Sequence, residues 1–193
     1  MKSIVVFCGS SEGTNSDYVD QGYLLGKTLA EEEITLVYGG AKIGVMGAVA
    51  SGTLEAKGKV IGVIPDFLKI REVFHTNLTE LIITKDMHER KLKMHELSDG
   101  IIMLPGGYGT LEEFFEMLTW AQLGLHQYPI GVLNTNDFYT ELMTMLAKMV
   151  NQGFVKKENY DMILVDHTVD GLLIQMENYK PVPVPKWIDK KQV

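Results

Sequence analysis

The order of apolar runs along this chain predicts an α/β fold, a Rossmann-like doubly wound parallel sheet with helices on both faces. Three observations carry it. Short β-branched runs alternate with helical segments of 10–15 residues over nearly the whole length. Several of those runs are hydrophobic without alternation, the pattern of strands covered on both sides. Glycine-rich loops follow the strands that end at Cys8, Tyr38 and Leu104, and ligands in such sheets sit at the carboxyl ends of strands.

Ile4–Cys8 reads as the first strand. Gly9–Ser16 is a loop in which Ser16 or Asp17 caps the following helix. That helix turns Tyr18, Gly22, Leu25 and Leu29 inward and ends in a solvated acidic run, Glu31–Glu33. Ile34–Tyr38 is the second strand, and Gly39–Gly47 a second glycine loop before a helix of small residues (Ala48, Ala50, Gly52, Ala56). A third strand, Lys59–Ile64, stops at Pro65. The pattern weakens from Asp66 to Glu80, where a loop with a short helical piece is expected. Leu81–Thr84 is a strand and Asp86–Leu97 a helix. Gly100–Leu104 is a strand entering Pro105–Thr110, and the next helix runs to Gly124. Tyr128–Leu133, the helix Asp137–Asn151, Met162–Val165 and the helix Val169–Asn178 complete the series. Residues 1–179 thus read as a single domain, and 180–193, rich in proline, as an extended tail.

A chain of 193 residues that is 46% hydrophobic and 22% charged can bury a core of useful size. Its net charge of −7 argues against a nucleic-acid partner. The single cysteine, Cys8, rules out an internal disulfide framework and is expected to be buried. The apolar run at the N-terminus is too short for a signal peptide or a membrane span, so a cytoplasmic protein without membrane contact is expected.

The third loop is an anion site by construction. A strand, three glycines and a helix N-terminus bring bare N–H groups and the positive end of a helix dipole together. Two well-known phosphate loops do not fit. Gly26-Lys27-Thr28 lies inside the first helix and is no Walker loop, and Gly9-Ser10-Ser11-Glu12-Gly13 fails the dinucleotide spacing. A smaller nucleotide or a sugar phosphate is the better match. Glu113 has two readings here. Thr110-x-x-Glu113 fits a capping box with Thr110 as N-cap, yet a carboxylate beside an anion loop weakens phosphate binding, an expensive arrangement if capping were its only purpose; the loop alone leaves both readings open. On the helix before, Met87, Arg90, Met94 and Leu97 share one face while Lys91 and Lys93 stay wet. An inward Arg90 needs a carboxylate or phosphate partner; the alternative is an arginine reaching solvent at the helix edge. His88 and His95 lie a heptad apart without a third ligand, so no metal is expected.

Asp86-Met87-His88-x-Arg90-Lys91 followed by Pro105-Gly106-Gly107-Tyr108-Gly109-Thr110-Leu111-Glu112-Glu113 closely resembles the signature of the LOG (Lonely Guy) family, the cytokinin riboside 5′-monophosphate phosphoribohydrolases often mislabelled as lysine decarboxylases. The likeness extends to Phe7–Ser11, Tyr38–Ala41 with Gly44 and Met46-Gly47, Ile61–Pro65 and Thr119–Gly124, and so covers about residues 3 to 155. The resemblance implies hydrolysis of the N-glycosidic bond of a nucleoside 5′-monophosphate to free base and ribose 5-phosphate, without a cofactor, in a homodimer. It assigns catalysis to Arg90 and Glu113, and phosphate binding to Gly106, Gly107, Tyr108, Gly109 and Thr110. Substrate contacts fall to Gly9, Ser10, Gly39, Gly40, Glu72, Met87, Lys91, Leu111, Glu112 and Thr119. Physically, Glu113 could stabilise an oxocarbenium-like sugar, bind ribose hydroxyls or position water. Arg90, always charged, is a poor proton donor and suits an electrostatic role. Three rivals stand beside this reading. One is a non-catalytic nucleotide carrier on the same fold. Another is a pyridoxal enzyme, for which Lys91 is the formal Schiff-base lysine. The third is a dimer module using the apolar face of the Phe114–Leu123 helix.

Overall fold

A computed structural model describes residues 1–69, 74–75 and 77–182. Seven strands form one sheet in the order β4-β3-β2-β1-β5-β6-β7, with every adjacent pair parallel. The strands are β1 (Ser3–Phe7), β2 (Thr35–Tyr38), β3 (Val60–Pro65), β4 (Glu80–Thr84), β5 (Gly100–Met103), β6 (Ile130–Leu133) and β7 (Ile163–Asp166). Between them run α1 (Asp17–Glu31), α2 (Gly44–Glu55), α3 (Asp66–Lys69), α4 (Met87–Glu96), α5 (Tyr108–Gln122), α6 (Thr140–Asn151), α7 (Lys157–Tyr160) and α8 (Val169–Glu177). Among the described residues no helix is long and apolar enough to cross a membrane.

Alternation along β1 shows how the two layers arise. Successive side chains of a strand point to opposite faces. Ile4, Val6 and Cys8 therefore join Leu25 and Leu29 of α1, Val45 and Val49 of α2, and Leu172 of α8. Val5 and Phe7 join Met94 of α4 and Phe114, Met117 and Ala121 of α5. The chain winds outward from β1 to β4, returns to place β5 beside β1, and winds outward again to β7. Loops after β1 and β5 consequently part to opposite faces, which opens a crevice at their carboxyl ends.

Several boundaries differ from the sequence expectation, each for a local reason. Helix α2 starts within its glycine loop, at Gly44, whose φ of +66° and close approach to the Ser10 backbone require glycine. Strand β6 begins at Ile130 because the preceding backbone is diverted: the Tyr128 N–H donates to His126 Nδ1 at 3.2 Å. Helix α6 begins at Thr140, after a 3-10 turn at Thr135–Asp137, since Asn136 and Asp137 are both left-handed (φ 51° and 60°). The short α7 carried no signal. Ser16 is the N-cap residue of α1, as expected, but its side chain makes no cap bond; Asn15 Oδ1 instead accepts the Asp17 N–H at 3.0 Å. Glu72 and residues 183–193 of the tail lie outside the described residues.

Candidate active site

Three loops meet at the carboxyl end of β1, β2 and β5. The Gly9 N–H donates to the Pro105 carbonyl at 3.0 Å, and the Met46 N–H donates to the Gly9 carbonyl at 3.1 Å. A Cβ on Gly9 would stand 3.4 Å from Gly106 Cα, and one on Gly106 would collide with Thr110 Oγ1 at 2.2 Å. Close approach therefore accounts for these two glycines. Gly107 and Gly109 are different, because a Cβ at either would meet nothing within 4 Å. Both face open space at the N-terminus of α5.

Over that space lies a cleft of about 310 Å³. From the first loop it is lined by Gly9 and Ser10, from the second by Gly39 and Met46. Met87 and Arg90 reach it from α4, and Gly107, Tyr108, Gly109, Thr110, Glu112 and Glu113 from α5. Its floor is apolar: Val6, Phe7, Cys8 and Met94, with Leu68 at the side. At the centre, Arg90 Nη1 donates to Glu113 Oε1 at 2.9 Å; each residue is 8% exposed. Arg90 Nε donates to the Val63 carbonyl at 3.0 Å. The third nitrogen lies over Gly39, where a Cβ would stand 2.3 Å from Nη2. Gly39 thus has no side chain because the guanidinium occupies that place. Arg90 points inward, and the solvent-reaching alternative does not hold.

The capping-box reading of Thr110 and Glu113 is corrected. The N-cap of α5 is Gly107, with no side-chain cap bond and no acid in the first turn. Thr110 therefore stands third in the helix and Glu113 sixth, three positions past the one from which a capping-box glutamate reaches back. Glu113 projects instead into the cleft. Burial pushes its pKa above the ordinary carboxylate value, while the charge of Arg90 pulls the other way. Next to it, burial first and then the Glu113 charge push the Cys8 thiol up, so the cysteine stays protonated and unreactive. The expected burial of Cys8 holds, though the sequence did not reveal that it lines the cleft.

Other expected contacts fall outside this cleft. Lys91 is not a wet side chain: its ammonium donates to Glu112 at 2.5 Å and to Glu116 at 3.1 Å, and it is only 12% exposed. Burial disfavours its charge, but these two partners carry its pKa above the ordinary value. That environment is opposite to the one a Schiff-base lysine needs. Gly40 sits below the cleft, its carbonyl accepting the His75 N–H at 3.3 Å. Leu111 packs against the core beneath α5. Thr119 is exposed, about three turns beyond the N-terminus of α5, with its hydroxyl donating to the Phe115 carbonyl at 2.7 Å. Gly106 lines a neighbouring cavity. Met46, Met94 and Leu68 were not anticipated as lining residues. Met46 had a signal, two residues past a glycine at a helix start, and Leu68 had none. Among the described residues no group of three or more His, Cys, Asp or Glu is arranged to hold a metal ion.

Comparison with known proteins adds to this geometry. A family model described as possible lysine decarboxylase matches residues 46–176. The cytokinin riboside 5′-monophosphate phosphoribohydrolase LOG3 of Arabidopsis thaliana is 43% identical over 180 residues, covering 93% of this chain and 84% of that protein. The cytokinin riboside 5′-monophosphate phosphoribohydrolase of Rhodococcoides fascians is 42% identical over 173 residues, 89% of this chain and 87% of that one. Among solved structures, a molybdenum cofactor binding protein from Rippkaea orientalis superimposes with a TM-score of 0.70 at 22% identity, over 92% of this chain and 96% of that chain. The molybdenum cofactor carrier protein of Chlamydomonas reinhardtii gives 0.67 at 21% identity, over 91% and 95%. At that identity the two structures speak for the fold alone. With relatives above 40% identity over nearly all of its length, and with the arginine, glycine loop and glutamate of the signature gathered in one cleft, the chain belongs to the LOG family of phosphoribohydrolases.

Proposed function

We propose that this chain hydrolyses the N-glycosidic bond of a purine nucleoside 5′-monophosphate, AMP or a cytokinin-type nucleotide, releasing free base and ribose 5-phosphate. One observation carries the reading: a buried Arg90–Glu113 pair at 2.9 Å opens into a cleft whose other wall is the uncapped N-terminus of α5. Phosphate seats on the N–H groups of the Gly107–Thr110 turn, where the helix dipole favours an anion. Glu113, one turn further along α5, then lies near the anomeric carbon. As the C–N bond breaks, positive charge grows on the sugar, and a carboxylate held in a water-poor site stabilises it. A water oxygen bonds to that carbon, and its proton leaves with the base. Arg90 keeps Glu113 oriented and offsets the burial that would otherwise protonate it. Its Nη2 makes no hydrogen bond among the described residues, leaving a donor for substrate.

Glu112, which lines the cleft, belongs to this reading as a further substrate contact, with Lys91 holding its carboxylate from behind, and Glu72 and Thr119 join it by the family pattern. Thr119 stands away from the cleft of its own chain, so its contact is with a second copy, in a homodimer formed across α5. A cytoplasmic setting, where the lone buried Cys8 stays reduced, completes it. A carrier on the same fold is weaker support for these residues, because mere phosphate retention gains nothing from Glu113. Chromatography of products from a panel of 5′-monophosphates and free nucleosides tests the proposal. Base release from monophosphates and not from nucleosides is expected. Wild-type-like turnover of AMP by both Arg90→Ala and Glu113→Gln, with the fold intact, would overturn the assignment.

A further inference from the structure

Behind the glycine strip lies a second compartment of about 310 Å³. Gly9, Ser10 and Gly107 line both it and the cleft, so the two are separated only by that strip. The lining beyond the strip is of another kind. Tyr18 of α1 and Phe138, just after the 3-10 turn, meet edge to face with ring centroids 5.5 Å apart. Gly13 (φ +78°) gives Tyr18 its place, since a Cβ there would collide with the ring at 2.8 Å. Asn136 Nδ2 donates to Asp17 Oδ2 at 2.6 Å, tying the segment that carries Phe138 to the start of the helix that carries Tyr18. The compartment also holds Ser11 and one carboxylate, Glu12.

Its position relative to the proposed phosphate seat decides what it fits. With phosphate on the N-terminus of α5, ribose and base extend toward Glu113 and Arg90. The second compartment is then on the far side of the phosphate, where only a group esterified to that phosphate can reach. Glu12 disfavours a free terminal phosphate there, but a carboxylate is the residue type that accepts hydrogen bonds from a ribose diol. Aromatic rings offer a stacking surface to any nucleobase. We propose that the two compartments together bind a dinucleoside 5′,5′-diphosphate: one nucleoside in the cleft, the pyrophosphate across Gly9, Ser10 and Gly107, and the second nucleoside against Tyr18, Phe138 and Glu12. The proposal rests on the phosphate seat of the preceding reading. The first loop lacks the dinucleotide fingerprint, so here the helix N-terminus that receives the pyrophosphate is that of α5, not α1.

Calorimetric titration of the full chain with AMP, ADP and diadenosine 5′,5′-diphosphate, alongside inhibition of AMP hydrolysis by the dinucleotide, tests it. The expected result is a dinucleotide bound at least tenfold more tightly than AMP, with ADP gaining nothing over AMP. Tyr18→Ala and Phe138→Ala should each remove that advantage while KM for AMP stays unchanged; Phe138, half exposed, keeps the test valid where loss of Tyr18 disturbs α1. A dinucleotide no tighter than AMP, or an advantage that survives in both variants, overturns the inference and leaves the hydrolase reading intact. AMP neither bound nor cleaved by the wild-type chain would overturn the phosphate seat and both proposals with it.

Discussion

The starts of α4 and α5 carry the same local pattern and do opposite things. Asp86-x-x-Glu89 and Thr110-x-x-Glu113 are both short polar residues followed three positions later by glutamate. At α4 the pattern closes the helix end. Asp86 Oδ1 accepts the Glu89 N–H at 2.8 Å, and Glu89 Oε2 accepts the Lys85 N–H at 2.7 Å. At α5 the helix starts two residues before Thr110, so the pattern falls inside it, and among the described residues the N–H groups of its first turn meet no side-chain acceptor. The helix that supplies Arg90 is capped by its own carboxylates, while the helix that supplies Glu113 leaves its end open to a ligand. A capping motif read from sequence is therefore a statement about register, and register is set by where the loop lets the helix begin.

The largest expected effect breaks the pair that joins the two helices. Arg90→Ala leaves Glu113 buried without a counter-charge and should cost about 3–5 kcal/mol of folding stability, measured by urea denaturation. Arg90→Ala combined with Glu113→Gln should recover much of that loss, since the two residues are in contact and their effects are not additive.

Glu113→Gln should lower kcat on AMP by about 10²–10³-fold, whereas Glu89→Gln on the capped helix should leave it unchanged. The pH dependence follows from the raised pKa of Glu113. In the proposed reaction ionised Glu113 is the active form, so activity should fall on acidification through a pKa lying above the ordinary carboxylate value. Residual activity in Arg90→Gln should lose its acid limb at still higher pH, because the charge that opposes burial is gone. For stability the sign is reversed. The folded pKa exceeds the unfolded one, so this group's contribution is fully present below the unfolded pKa and is lost as pH rises through the folded value. The difference in unfolding free energy between wild type and Glu113→Gln, followed from pH 4 upward on the order of three units, should show that fall.

Gly107→Asp converts the open end into a closed one. The site has room for a side chain and an ordinary φ of −98°, and aspartate is a better N-cap than glycine by only a few tenths of a kcal/mol. Stability should therefore hold or rise slightly while KM for AMP increases about tenfold, roughly 1.4 kcal/mol, as the new carboxylate takes the place of phosphate. Smallest is Asp86→Ala, which should cost about 1 kcal/mol of stability, restored by Asp86→Ser; thermal unfolding of the three proteins checks it.

Much of the fold was legible because each of its signals is local. Continuous apolar strands such as Ile4–Cys8 and Gly100–Leu104 fall within a residue of those observed. Arg90 was legible as inward because an arginine at helical spacing among Met87, Met94 and Leu97 has few other places to go. What failed were features set by distant contacts. Lys91 looked solvated on its own helix, yet Glu112 and Glu116 reach it from α5. Tyr139 gave no sign that its hydroxyl would hold the Leu104 carbonyl, at 2.9 Å, at the mouth of the glycine loop.

The strand and helix alternation, the three glycine loops and the inward face of Arg90 can be read along the chain, because propensity and periodicity depend on neighbours within a few residues; the pairing of Arg90 with Glu113 was implied only by the resemblance to the LOG family. Only the tertiary structure decided that α5 begins at Tyr108, that Arg90 displaces any side chain from Gly39, and that Thr119 stands apart from the cleft. Those outcomes depend on how β1 and β5 lie side by side and how closely their loops approach, which no stretch of the chain records alone.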